Sequence, residues 1–104
     1  MNEHEIIARL EAEWELTTGF LGRLREGHFD VRKGIQFLEF LRSLKATYES
    51  QDQLNKRCVS LLWYIPLFMS WQFERVAGQG GDTKRLKELE NEIEDALTGI
   101  LGLP

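Results

Sequence analysis

The run CVSLLWYIPLFMSWQF, Cys58–Phe73, decides the fold. It is sixteen residues without a charge, with Pro66 near its middle, in a chain of 104 residues of which 29% are charged. At 100° per residue, Leu54, Cys58, Leu61, Ile65 and Phe68 share one helical face, with Leu62 and Met69 at its margin, which predicts a core stripe. Tyr64, Leu67 and Trp71 fall on a flanking face, and Val59 and Trp63 lie nearly opposite the stripe. A helix apolar almost all round is central in its fold or has a second apolar partner. Pro66 lacks a backbone donor and clashes with the carbonyl of Leu62, so the helix expected over 52–77 should kink or split there. The run is interrupted by two serines and a glutamine, and it falls short of the roughly 20 apolar residues that cross a bilayer, so no membrane span is expected.

Towards the amino terminus, Ile7, Leu10, Trp14, Thr17, Leu21 and Leu24 recur at steps of three and four and predict a helix over 2–27. Asn2 and Glu5 have capping-box spacing, and Gly27 is a natural stop. Gly19 and Gly22, one turn apart, either admit a close neighbour or mark a weakened helix end. Asp30 is placed to cap a second helix over 31–48, with Ile35, Phe37, Leu38, Leu41, Leu44 and Tyr48 on its apolar face and Phe40 widening it. Ser50–Gln53 again has capping-box spacing and predicts a new start. The alternative, one helix from 31 to 77, far exceeds the usual length of about 11–12 residues.

Towards the carboxyl terminus, Gly78–Asp82 reads as a loop. Asp82 or Thr83 then caps a fourth helix to about 99, with Leu86, Leu89, Ile93, Ala96, Leu97 and Ile100 facing inward. No segment alternates with the period of a strand, and no repeat is evident. The expected fold is all-α: a single domain over 1–104, roughly a four-helix up-down bundle, with a central third helix kinked at Pro66.

Composition narrows the function classes. The single cysteine, Cys58, excludes an internal disulfide and a multi-cysteine zinc site. The acidic, amphipathic first residues differ from a secretory signal, so a cytoplasmic location is expected. Net charge is −4, distributed as −4 over 1–20, +3 over 21–77 and −3 over 78–104. An acidic chain is not expected to bind nucleic acid nonspecifically. With two histidines and no Glu-x-x-His pair, neither a metal nor another cofactor is expected. Cys58 falls on the core face, where a thiol behaves as a small hydrophobe, so no catalytic residue is assigned. Arg23 and His28 have the Arg-x4-His spacing of some helical toxin ribonucleases, but Gly27 intervenes as a helix stop. Gly78–Asp82 lacks the Lys-Ser/Thr of a phosphate-binding loop.

Two candidate surfaces remain. Trp63, Tyr64, Leu67 and Trp71 exceed what the core stripe needs, and Trp and Tyr are enriched at interface hot spots. They point to a non-enzymatic protein–protein interaction module, acting by self-association as a homodimer or by holding a partner as small adaptor or immunity-like proteins do. The alternative is a ligand-binding bundle or enzyme with an aromatic pocket at the Pro66 kink, near Trp14, Trp63 and Tyr64. In an up-down bundle, one end would also gather Arg23, Arg25, Arg32, Lys33, Arg75, Lys84 and Arg85. Bases in the first turns of helices oppose the helix dipole. That end is therefore either a site for an anion or acidic partner, or is neutralised by Glu26, Asp30, Glu74 and Asp82.

Overall fold

The acidic amino terminus opens as its spacing predicts. Asn2 Oδ1 accepts from the Glu5 N–H at 2.9 Å, and Glu5 Oε1 accepts from the Asn2 N–H at 3.4 Å. This reciprocal pair starts the first helix by satisfying donors that have no intrahelical partner. A computed structural model describes Met1–Pro104. Its helical segments are α1 (Glu3–Glu13), α2 (Phe20–Leu24), α3 (Val31–Ser43), α4 (Lys45–Tyr48), α5 (Lys56–Leu62), α6 (Ile65–Ser70), α7 (Phe73–Gly78) and α8 (Thr83–Leu101). There is no strand, and the chain forms one globule of 41 × 26 × 20 Å.

The helix expected over 2–27 is interrupted. It ends at Glu13, and the chain doubles back before α2. A Cβ on Gly22 would fall against the Glu15 carbonyl oxygen, and one on Gly19 against the Glu13 carbonyl oxygen. The close neighbour that these glycines admit is thus the chain's own preceding turn. Glu13 fastens the reversal: its Oε1 accepts from the Phe20 N–H at 3.2 Å, while Oε2 pairs with Arg9 at 3.0 Å. In consequence Thr17 is exposed and Phe20, which lies outside the predicted stripe, is buried.

Asp30 caps α3 by accepting from the Lys33 N–H at 3.1 Å. A tightened turn at Leu44 separates α3 from α4. Ile35, expected on the inner face, is exposed, and Phe40 is buried. The second and third predicted helices are indeed separate, but the new start is not at Ser50. Asn55 Oδ1 accepts from the N–H groups of Arg57 at 2.8 Å and Cys58 at 3.3 Å, so α5 begins at Lys56. Asp82 Oδ1 accepts from the Arg85 N–H at 2.9 Å and opens α8, whose Leu86, Leu89, Ile93, Leu97 and Ile100 are buried. Helix α8 packs on α3, α4, α6 and α7, while α1 lies against α5. The buried apolar side chains form one cluster running through all these contacts.

The tight reversal makes a contrast between two glycines. Gly22→Ala forces a methyl group into backbone and should cost about 1–3 kcal/mol. Gly78→Ala, at the end of α7 with nothing near the added methyl, should be neutral or stabilising by up to about 1 kcal/mol. Urea denaturation of both variants checks this; equal midpoints would refute the packing of α2 on the preceding turn.

Candidate functional site: an aromatic crest on α5 and α6

The charge-free run is divided into α5, α6 and α7 rather than carried as one helix. Pro66 occupies the second position of α6, where a missing N–H removes no bond within α6 itself. The interruption falls just before it, at Trp63 and Tyr64, both in right-handed helical conformation. Because Pro66 has no N–H, the Leu62 carbonyl loses its donor four residues on. The neighbouring Leu61 carbonyl is satisfied from outside: Trp14 Nε1–H donates to it at 3.1 Å. At the second interruption, Gln72 is buried and donates its side-chain amide to the Phe68 carbonyl at 3.2 Å.

Helices α1 and α2 flank one side of this ridge and α8 flanks the other. Its crest is left uncovered. Trp63 is 56% exposed, Leu67 44% and Trp71 59%. Tyr64 is half-buried between them, with ring centroids 5.4 Å from Trp63 and 5.9 Å from Trp71. Beneath it, Trp14 stacks on Tyr64 at 6.3 Å and meets Phe68 edge-on at 4.9 Å. The structure therefore brings the four predicted residues into one aromatic surface, carried on a rigid, buried underside.

The predicted basic end is dispersed among different partners. Arg85 pairs with Glu88 at 3.4 Å and Glu92 at 3.2 Å along its own helix. Lys33 Nζ donates to the Thr18 carbonyl at 3.0 Å. Arg75 donates to the Arg25 carbonyl at 2.9 Å, and the Arg25 guanidinium lies 4.9 Å over the Phe68 ring. Arg23, Arg32 and Lys84 form no ion pair. The expected neutralisation by Glu26, Asp30, Glu74 and Asp82 does not form, and Asp30 and Asp82 serve as helix caps instead. Arg23 and His28 are not on one helical face: α2 ends at Leu24, and Gly27 follows at φ 82°.

An open groove lies on each side of the crest. One, of about 380 Å³, runs between Trp63, Pro66 and the last turns of α8, where Glu94 and Asp95 line it. The other, of about 330 Å³, lies between Trp14, Leu16 and Tyr64 and is lined by Arg25 and Arg57. Sequence reasoning did not single out Arg57, Glu94 or Asp95. They lie on outward faces, and only the fold places them beside the crest. It also missed Glu90, an acid facing inward on α8: Oε1 accepts from Lys87 at 3.2 Å, while the buried Oε2 has no partner.

The core holds the chain's one thiol. Cys58 is buried, its thiol directed at the Tyr48 hydroxyl at 3.8 Å, and that hydroxyl donates to Glu3 Oε2 at 3.5 Å. Burial pushes the thiol above its ordinary 9.0 and, with the thiol and Glu3 beside it, pushes the Tyr48 hydroxyl well above its ordinary 10.0. Both groups are held in their neutral forms, and a neutral thiol is a poor nucleophile. No three His, Cys, Asp or Glu side chains converge in a way that could hold a metal ion. No helix is long and apolar enough to cross a membrane. Comparison with known proteins yields no relative: no family model matches the chain, and no curated protein or solved structure matches it.

The raised Cys58 and Tyr48 values set an alkaline limit. Above pH 9 the unfolded chain loses the thiol proton while the folded chain keeps it, and above pH 10 the same holds for the Tyr48 hydroxyl. The folded state then binds more protons, so stability falls as pH rises. Urea unfolding should show this contribution intact below pH 9 and declining above it, with Tyr48→Phe flattening the decline beyond pH 10. An unfolding free energy independent of pH from 8 to 11 would contradict this burial.

Proposed function

We propose that this chain is a non-enzymatic protein–protein interaction module that docks through Trp63, Tyr64, Leu67 and Trp71. One observation carries the reading: two tryptophans are more than half exposed and share ring contacts with Tyr64. Exposed aromatics held on a buried base offer large contact area at little cost in side-chain entropy, the property of interface anchors. The eight segments are read as four layers running up and down, α1 with α2, α3 with α4, α5 to α7, and α8, with the third layer bent at Pro66. The contacts of α1 with α5 and of α8 with α3 and α6 support that reading. A cytoplasmic protein that associates with other proteins and not with nucleic acid fits the net charge of −4.

The competing reading, a ligand-binding bundle with an aromatic pocket at Pro66, has less support. The grooves beside Trp63 and Tyr64 open to solvent, whereas small-molecule sites enclose most of their ligand.

The paired substitution Trp63→Ser with Trp71→Ser separates these roles. Both side chains point away from the core, so the variant should unfold within about 1 kcal/mol of the parent. Used as baits in affinity capture, the parent should retain a partner that the variant loses by tenfold or more. Equal retention by both baits, or collapse of the folded state, would sink the docking reading.

A further inference from the structure

The crest has shoulders of opposite charge. On the α8 side, Trp63 shares its groove with Glu94 and Asp95, and neither carboxylate is ion-paired. On the α1–α2 side, Tyr64 shares its groove with Arg25 and Arg57. Arg57 is held by Glu11 at 2.8 Å, whereas Arg25 has no carboxylate and lies over the Phe68 ring. Trp63 and Tyr64 are consecutive and face different grooves, so the two charged grooves adjoin on opposite sides of the ridge, the acidic one beside Trp63 and Pro66 and the basic one beside Ser60, Leu61 and Tyr64.

We infer that the occupant of the crest is a second copy of this chain, related by a twofold axis running along the α5–α6 ridge. Rotation about that axis exchanges left and right while preserving height. The crest of one copy then meets the crest of the other, with the two ridges parallel. The acidic shoulder of each copy faces the basic shoulder of its partner, so Glu94 and Asp95 meet Arg25 at both edges of the interface. A twofold axis across the ridge would instead oppose acid to acid and base to base, an arrangement that like charges disfavour. The layout is thus self-complementary in one orientation, as an isologous interface requires.

Size sets how much of the surface such a dimer must use. A standard interface takes roughly 800 Å² from each partner, about an eighth of this chain's 6324 Å². The crest alone, three partly exposed side chains, supplies a few hundred Å² at most. Both shoulders must take part, and the crest with its shoulders has the anatomy of an apolar centre and a charged rim.

This inference rests on the docking reading above and is tested separately from it. Light scattering after size exclusion, from micromolar to near-millimolar protein and at low and high salt, should find a dimer that weakens as salt rises. Arg25→Glu should weaken it about tenfold or more, because one substitution turns both edge contacts repulsive. The pair Glu94→Lys with Asp95→Lys, on the outer face of α8, should do the same. Circular dichroism confirms that each variant remains folded. Mixed together, the two variants should form a heterodimer as tight as the parent dimer, since position 25 of each then faces opposite charge at 94 and 95 of the other.

A parent that stays monomeric throughout overturns the inference, as does a mixture that fails to associate. A dimer lost on Trp63→Ser with Trp71→Ser but indifferent to the charge variants overturns this twofold arrangement and leaves docking through the crest standing.

Discussion

The bond from the Trp14 indole to the Leu61 carbonyl is the constraint around which the rest of the molecule is arranged. A helix interrupted before Pro66 leaves carbonyls without donors, and a buried orphan costs about 1–3 kcal/mol. Trp14 brings a donor into this stretch from 47 residues away in sequence, to the Leu61 carbonyl beside the one that Pro66 leaves without its helical partner. It has the reach because α1 stops at Glu13 and places the indole at its carboxyl end. The same ring packs on Phe68 and Tyr64. One side chain therefore donates into the interrupted stretch, ties α1 to α5 and supports the floor of the crest. The reversal after α1 and the break between α5 and α6 are two parts of one solution.

The parts of this arrangement that were legible in the sequence are those fixed by local chemistry. Asn2, Asp30 and Asp82 cap helices because the groups they bond lie three residues on. The crest was legible by subtraction: once the core stripe of Cys58, Leu61, Ile65 and Phe68 is assigned, Trp63, Leu67 and Trp71 remain. What escaped was decided by distant backbone. Gly19 and Gly22 read either as the site of a close neighbour or as a weakened helix end; the neighbour is the preceding turn's own carbonyls, which helical periodicity cannot place. Ser50 had the spacing of a cap, yet Asn55 reaches two donors and begins the helix. The basic end was inferred from an assumed meeting of helix ends. Arg85 finds Glu88 and Glu92 on its own helix instead, three and seven residues on.

Stability does not account for the composition of the crest. Burial of apolar area is worth roughly 25 cal/mol per Å² removed from water, and the exposed portions of Trp63, Leu67 and Trp71 gain none of it within one chain. Single exposed apolar residues are ordinary on protein surfaces. Here two tryptophans and a leucine adjoin a half-buried tyrosine on one ridge. The inward side of that ridge is already complete, with Cys58, Leu61, Leu62, Ile65, Phe68 and Met69 all buried. The charge-free run therefore divides in two. Its inner half is required by the fold, and its outer half is what the proposed docking would use.

Electrostatics at two ranges decide how two such chains would meet. Each carries −4, so they repel at a distance, but charges more than about 8 Å apart are largely screened at physiological salt. What survives at contact is the local pattern: the unpaired carboxylates Glu94 and Asp95 of α8 on one side of the ridge, and on the other Arg25, just past α2, beside an Arg57 already paired with Glu11. The tryptophans supply area without direction, since an aromatic crest packs tolerably in many orientations. The shoulders supply direction, because reversing one ridge against the other exchanges attraction for repulsion at both edges. On that proposal the aromatic crest supplies most of the contact area and the shoulders select its orientation, so a substitution at Arg25 weakens the pairing through its rim while leaving the crest intact.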